Sequence, residues 1–207
     1  MGPKGGGDTI RIGLFATLRG DEPEGAEALV EFFRELERMP GIAQGFHLYA
    51  YPVCNPRGLA TTPETNAAGP DLVGEFWRGS RQPEAYYLER EMGVHGFQGV
   101  ITLHAVEDTD RFLAKSRGSI LDTALALPAL DATRGFAPTV DRLAPGGDGL
   151  LPTAFLTATD ELRPVPFELN IGIPRRLRAI FRVRGTVAAL KSILDSYRTF
   201  IAHRQDI

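Results

Sequence analysis

The stretch from Thr9 to Val53 constrains the fold more than any other part of the chain. Thr9–Thr17 (TIRIGLFAT) alternates and then runs apolar, which is the pattern of a strand buried on both faces of a sheet. Pro23 then suits a helix's first turn. Ala26, Leu29, Val30, Phe33 and Leu36 recur every three or four residues between acidic positions, giving one apolar face up to Met39-Pro40. Phe46–Val53 (FHLYAYPV) reads as a second strand. Strand, helix and strand within about 45 residues make a βαβ unit. Such a unit demands a parallel sheet, a right-handed crossover and functional groups gathered where the strands end.

The remaining chain extends this pattern. Residues 55–80 are rich in Pro, Gly, Thr and Asn and carry little periodicity, so they are expected to form a long binding loop. Pro83–Met92 predicts a helix, and Phe97–His104 (FQGVITLH) predicts a strand whose C-terminal edge carries His104. In 116–153 a short helix near Ser119–Ala126 gives way to a loop containing APGGDG. Phe167–Ile171 suggests a late strand, and Thr186–His203 a long amphipathic helix with Val187, Leu190, Ile193, Leu194, Tyr197 and Ile201 inward. With 207 residues, 43% of them apolar, the chain is expected to form one domain over 1–207, with residues 1–7 disordered.

Composition removes several function classes. Lys and Arg number 23 against 26 Asp and Glu, so the chain lacks the basic excess that nucleic acid attracts, and no nucleic-acid partner is expected. No apolar run approaches the roughly 18–20 residues of a membrane span, and MGPKGGGD lacks the apolar core of a signal peptide. The expectation is a soluble, cytoplasmic protein with no membrane partner. The single cysteine, Cys54, excludes an internal disulfide and a multi-thiolate metal site.

Four motifs then appear in a fixed order: Arg19-Gly20-Asp21-Glu22-Pro23, Asn55-Pro56-Arg57-Gly58, Glu64-Thr65-Asn66-Ala67-Ala68-Gly69-Pro70-Asp71-Leu72-Val73-Gly74, and Leu103-His104. In this order the chain resembles the zinc carboxypeptidase and succinylglutamate desuccinylase/aspartoacylase superfamily. There the first strand ends in His-Gly-Asn/Asp-Glu-Pro, followed by Asn-Pro-x-Gly, by Arg-x-Asn-x-x-Gly-x-Asp-Leu-Asn-Arg, and by a strand ending in His. The resemblance covers residues 8–115, with an echo in Pro166–Pro174 (PFELNIGIP). It implies an α/β fold of three layers, with a mostly parallel mixed sheet and helices on both faces.

The resemblance also implies a zinc site, and here the chain departs from it. Catalytic zinc takes three protein ligands and acidifies a bound water that attacks a carbonyl. Glu22 and His104 match two ligand positions, but Arg19 occupies the first histidine's place. A guanidinium has no lone pair to give at neutral pH, and its charge repels the metal. Asn66 keeps the family's asparagine, so Arg19 and Asn66 are the candidate binding residues. Glu64 replaces the arginine that polarises the carbonyl, and Val73-Gly74 replaces the Asn-Arg substrate clamp. Gly172 falls where the general base belongs, unless a register shift gives that role to Glu168.

Other residues offer no substitute at motif spacing. His47, His95 and His203 are expected to be structural, the run Arg175, Arg176, Arg178, Arg182 and Arg184 to be a solvated helix entry, and Cys54 to be a buried inert thiol. Two readings stay open. In the first, the domain has lost ordinary peptidase activity, holds no cofactor, pairs Arg19 with Glu22, and binds a small acid, a peptide or a protein partner. In the second it is an active zinc carboxypeptidase or N-acyl amino acid amidohydrolase using Glu22, His104 and an unidentified third ligand.

Overall fold

The computed structural model describes residues 9–60, 72–117, 119–137, 151, 155–157 and 162–205. Five strands form one sheet: β1 (Ile10–Ala16), β2 (Phe46–Tyr51), β3 (Gly99–Val106), β4 (Leu113–Ser116) and β5 (Phe167–Pro174), in the order β2-β1-β3-β5-β4. All neighbours pair in parallel except β4, which runs antiparallel to β5 from Leu113↔Gly172 to Ser116↔Leu169. The mixed, mostly parallel α/β sheet is therefore the architecture of this chain.

The side-chain period of two divides the strands between two cores. On one face Ile12, Leu14, Ile101, Leu103, Leu169 and Ile171 pack under α1 (Glu24–Arg38) and α6 (Ala179–Gln205). On the other, Phe15 and Val100 pack under α3 (Pro83–His95) and the turn Leu72–Gly74. Helix α1 starts on acidic Glu24 and Glu27, favourable at the positive end of the helix dipole, and stops at Met39 before Pro40. Helix α3 runs one turn beyond the expected Met92 because Gly96, at φ +52°, adopts the left-handed cap and donates its N–H to Met92.

Three further boundaries differ from the sequence expectation. Strand β3 begins at Gly99 and continues to Val106, so His104 sits within it rather than on its last residue. Within 55–80, Pro56–Ala60 forms the short helix α2, while residues 61–71, Asn66 and Glu64 among them, lie outside the described residues. The helix expected near Ser119–Ala126 continues through α4 (Ser119–Leu121), a π turn at Asp122–Ala126 and α5 (Leu127–Ala132). Leu127 N–H bonds back to Asp122 and is followed by Pro128, which has no N–H for a regular ladder, so the wide turn forms there. The APGGDG segment and residues 1–7 lie outside the described residues. No helix among those described is long and apolar enough to cross a membrane.

Candidate functional site

The site forms where β1 and β3 deliver their C-terminal ends side by side. After Ala16 the chain turns sharply at Thr17, whose φ of +53° is costly for a β-branched residue. Neighbouring bonds hold that conformation. The Thr17 hydroxyl lies 3.1 Å from the Glu22 carbonyl and 3.0 Å from that of Pro52, and Asn55 donates its N–H to the Thr17 carbonyl. The turn then brings Glu22 N–H back to the Arg19 carbonyl at 3.1 Å.

A second motif supports this turn. Asn55 caps α2 by accepting the Gly58 N–H at 2.8 Å, and its amide donates to the Leu18 carbonyl at 3.2 Å. Pro56 fills the first helical position, where no N–H is needed. Gly20 and Gly58 meet backbone to backbone: a Cβ on Gly20 would lie 2.1 Å from the Gly58 carbonyl carbon. The two glycines in the two motifs thus have a packing reason.

Glu22 and His104, 82 positions apart in sequence, come together in this crevice. Both are about 2% exposed, and Glu22 Oε2 lies 3.5 Å from His104 Nδ1. Neither atom has an aligned hydrogen bond. Arg19, half exposed, places Nη1 3.5 Å from Glu22 Oε1 and Nη2 3.7 Å from Asp21. His104 Nε2 sits 3.1 Å from the Thr102 hydroxyl, which lies 2.7 Å from Asn170 Oδ1. Arg175, just past β5, joins the loops around the crevice: Nε contacts Glu24 at 3.0 Å, and its other nitrogens reach Glu107 and the Asp21 carbonyl. Arg175 is thus a clamp, not the solvated residue expected from the basic run, because three acidic residues, Asp21 and Glu24 from the β1–α1 connection and Glu107 after β3, converge on it.

The sequence reading passed over Thr102 and Asn170. A signal was present: in two otherwise apolar strands, polar residues at 168 and 170, and at 102 and 104, recur with period two and so share the α3 face. His47 and His95 make packing and hydrogen-bond contacts away from the crevice, and the side chain of His203 lies outside the described residues. His47 stacks on Tyr49 with ring centroids 4.7 Å apart, and His95 bonds Glu91 at 3.2 Å. Cys54 is buried, its thiol pushed up to about 12 by desolvation, so little thiolate is available for chemistry.

Neither base candidate reaches the pair. Gly172 lies beside His104 in register, but a Cβ there would meet Val106 Cγ2 at 2.8 Å and Leu113 Cβ and Leu151 Cδ2 at 3.0 Å, so a glutamate has no room. Glu168 pairs with Val100, four residues or about 13 Å along the strand from His104. It is fully buried and takes the backbone N–H groups of Leu156 and Thr157 together with the Thr157 hydroxyl, with Arg117 at 3.6 Å.

Burial raises the Glu168 pKa, the hydrogen bonds to Thr157 and Leu156 opposing it. The fold therefore favours the protonated group. Its contribution is complete below the ordinary carboxyl pKa and falls away as pH rises through the raised one. Glu168→Gln should abolish that pH dependence. It should also lose about 1–3 kcal/mol, because its amide nitrogen faces an N–H donor. Urea midpoints across pH 4–8 check both effects, and a variant that keeps the wild-type slope would refute the assignment.

Zinc needs a donor set that these residues do not supply. Among the described residues no three His, Cys, Asp or Glu side chains come together to hold a metal. Glu22 and His104 are two donors, and a guanidinium lies against the first of them. The cluster does not fit the ion.

No protein-family model and no curated protein matches the chain. Solved structures do. A metallo-carboxypeptidase from Burkholderia cenocepacia superposes with a TM-score of 0.72 at 14% identity, over 97% of this chain and 60% of that one. A Pseudomonas aeruginosa metallo-carboxypeptidase in complex with (2-guanidinoethylmercapto)succinic acid gives 0.66 at 19%, over 94% and 60%. Product-bound cell shape determinant protein Csd4 from Helicobacter pylori gives 0.66 at 15%, over 94% and 53%. The chain spans less than two thirds of the length of each, and its described strands and helices have the fold of these metallo-carboxypeptidases.

Proposed function

We propose that this chain is a carboxypeptidase-like binding domain without ordinary amide hydrolase activity, in which a built-in cation, Arg19, takes the place of the zinc site's first ligand. The observation that supports this reading is the contact of Arg19 Nη1 with Glu22 Oε1 at 3.5 Å, beside His104. A fixed positive charge there offsets the buried carboxylate without a metal, where an unpaired buried charge would cost several kcal/mol. The half-exposed guanidinium is also suited to a carboxylate, so a small acid or the C-terminal end of a peptide, free or on a protein partner, is the ligand class. The acid bound to the Pseudomonas protein of the same fold agrees with that choice.

Metal analysis of protein purified without chelator tests the reading. Far less than one zinc per chain is expected, with no zinc-dependent hydrolysis of peptides or N-acyl amino acids. Near-stoichiometric zinc with hydrolysis would instead establish an active amidohydrolase using Glu22, His104 and a third ligand.

A further inference from the structure

The three-member chain His104–Thr102–Asn170 does more than fill hydrogen-bond capacity. A threonine hydroxyl has one proton to donate. Asn170 Oδ1 only accepts, and at 2.7 Å it takes that proton. Thr102 therefore meets His104 Nε2, at 3.1 Å, with lone pairs alone, and the ring nitrogen must bring the proton. A neutral imidazole has a single N–H, so Nδ1 is left with its lone pair.

An independent distance agrees. Were Nδ1 protonated, it would donate to the buried carboxylate of Glu22 at about 2.7–2.9 Å. The separation is 3.5 Å, neither atom has an aligned partner, and both are shielded from solvent, as expected for two acceptors that face each other. We propose that Thr102 and Asn170 are positioning residues that hold His104 in one neutral tautomer, with the proton on Nε2 and the Nδ1 lone pair turned toward Glu22. They act through His104, which then meets any group entering between it and Glu22 as an acceptor. Sequence order places them well: Thr102 precedes His104 by two on β3, and Asn170 pairs with Thr102 in register on β5, so all three share one sheet face.

The inference rests on the zinc-free reading above, because a metal on Nδ1 would impose the same tautomer. Imidazole-¹⁵N-labelled protein, compared before and after chelator treatment, separates the two. His104 is assigned by the loss of its signals in His104→Gln, and the long-range ¹H–¹⁵N spectrum of the neutral ring is read. The expected result is a proton-bearing Nε2 and a lone-pair Nδ1, unchanged by chelator. Thr102→Val should mix the tautomers, while Thr102→Ser should preserve the wild-type pattern.

A chelator-induced shift of Nδ1 would sink the zinc-free reading. A protonated Nδ1, or both tautomers in the wild type, would overturn the lock itself. So would an unchanged spectrum in Thr102→Val. Because the wild-type spectrum alone decides between these patterns, poor folding of a variant leaves the inference testable.

Discussion

Arg19→His is expected to raise zinc affinity at least tenfold, about 1.4 kcal/mol, while peptide hydrolysis stays at background. The turn already holds residues 19 and 22 together through the Glu22 N–H bond to the Arg19 carbonyl, and it already brings Glu22 to His104. An imidazole at 19 supplies a third donor and removes the guanidinium charge from the carboxylate. Hydrolysis needs more than the ion. Gly172 has no room for a base, Glu168 is engaged about 13 Å away, and Val73-Gly74 brings no clamp. Zinc titration by calorimetry, with an assay on N-acyl amino acids, measures both halves. Unchanged affinity would mean that residue 19 does not face the pair, and wild-type zinc hydrolysis that Arg19→His leaves unaltered would mean that another ligand exists.

Gly20→Ala is expected to be the most damaging single change in the crevice, at about 3–5 kcal/mol, lowering Tm by roughly 10 °C. The added Cβ would lie 2.1 Å from the carbonyl carbon of Gly58 and 2.3 Å from its Cα. Both are backbone atoms, so no rotamer change relieves the clash. Either the β1–α1 turn or α2 must move, and the first of these carries Glu22 away from His104. Gly41→Ala is the control: nothing lies within 4 Å of its added Cβ, so its Tm should hardly move. Thermal unfolding of the two variants checks the contrast, and equal stability would show that the crevice backbone is not tightly packed.

The parts of the fold visible in the sequence are those where periodicity is sustained. The apolar spacing over Ala26–Leu36 marks helix α1, and long apolar runs mark strands β1 and β5, each to within a few residues. The buried face of α1, however, runs through Ala28, Leu29, Phe32 and Leu36, and Val30, expected on the apolar face, is exposed. Strand β4 was invisible because Leu113–Ser116 is too short to show alternation, and it exists by pairing with β5. Helix α6 starts seven residues before the expected Thr186, because the arginines of its first turns hide the apolar positions Ile180, Phe181 and Val183. In the site, Glu22 and His104 were legible through motif order. Period-two polar positions mark Thr102 and Asn170 on their strands, but which residues they and Arg175 meet is set by tertiary register, which no local window contains. Asn66 lies outside the described residues.

Trp77 is the only tryptophan in the chain, and its indole N–H donates to the carbonyl of Leu156 at 2.5 Å. Its backbone holds a left-handed φ of +61°, and its N–H is taken by the Glu89 carboxylate on α3. Leu156 is in turn buried in the core beneath α3 and bonded to Glu168. The fluorescence of one residue therefore reads whether Phe155–Thr157 is seated on the sheet, separately from the far-ultraviolet signal of the helices. A shift in indole emission that precedes the loss of helicity in denaturant would give that segment a local opening equilibrium of its own, measurable without any label.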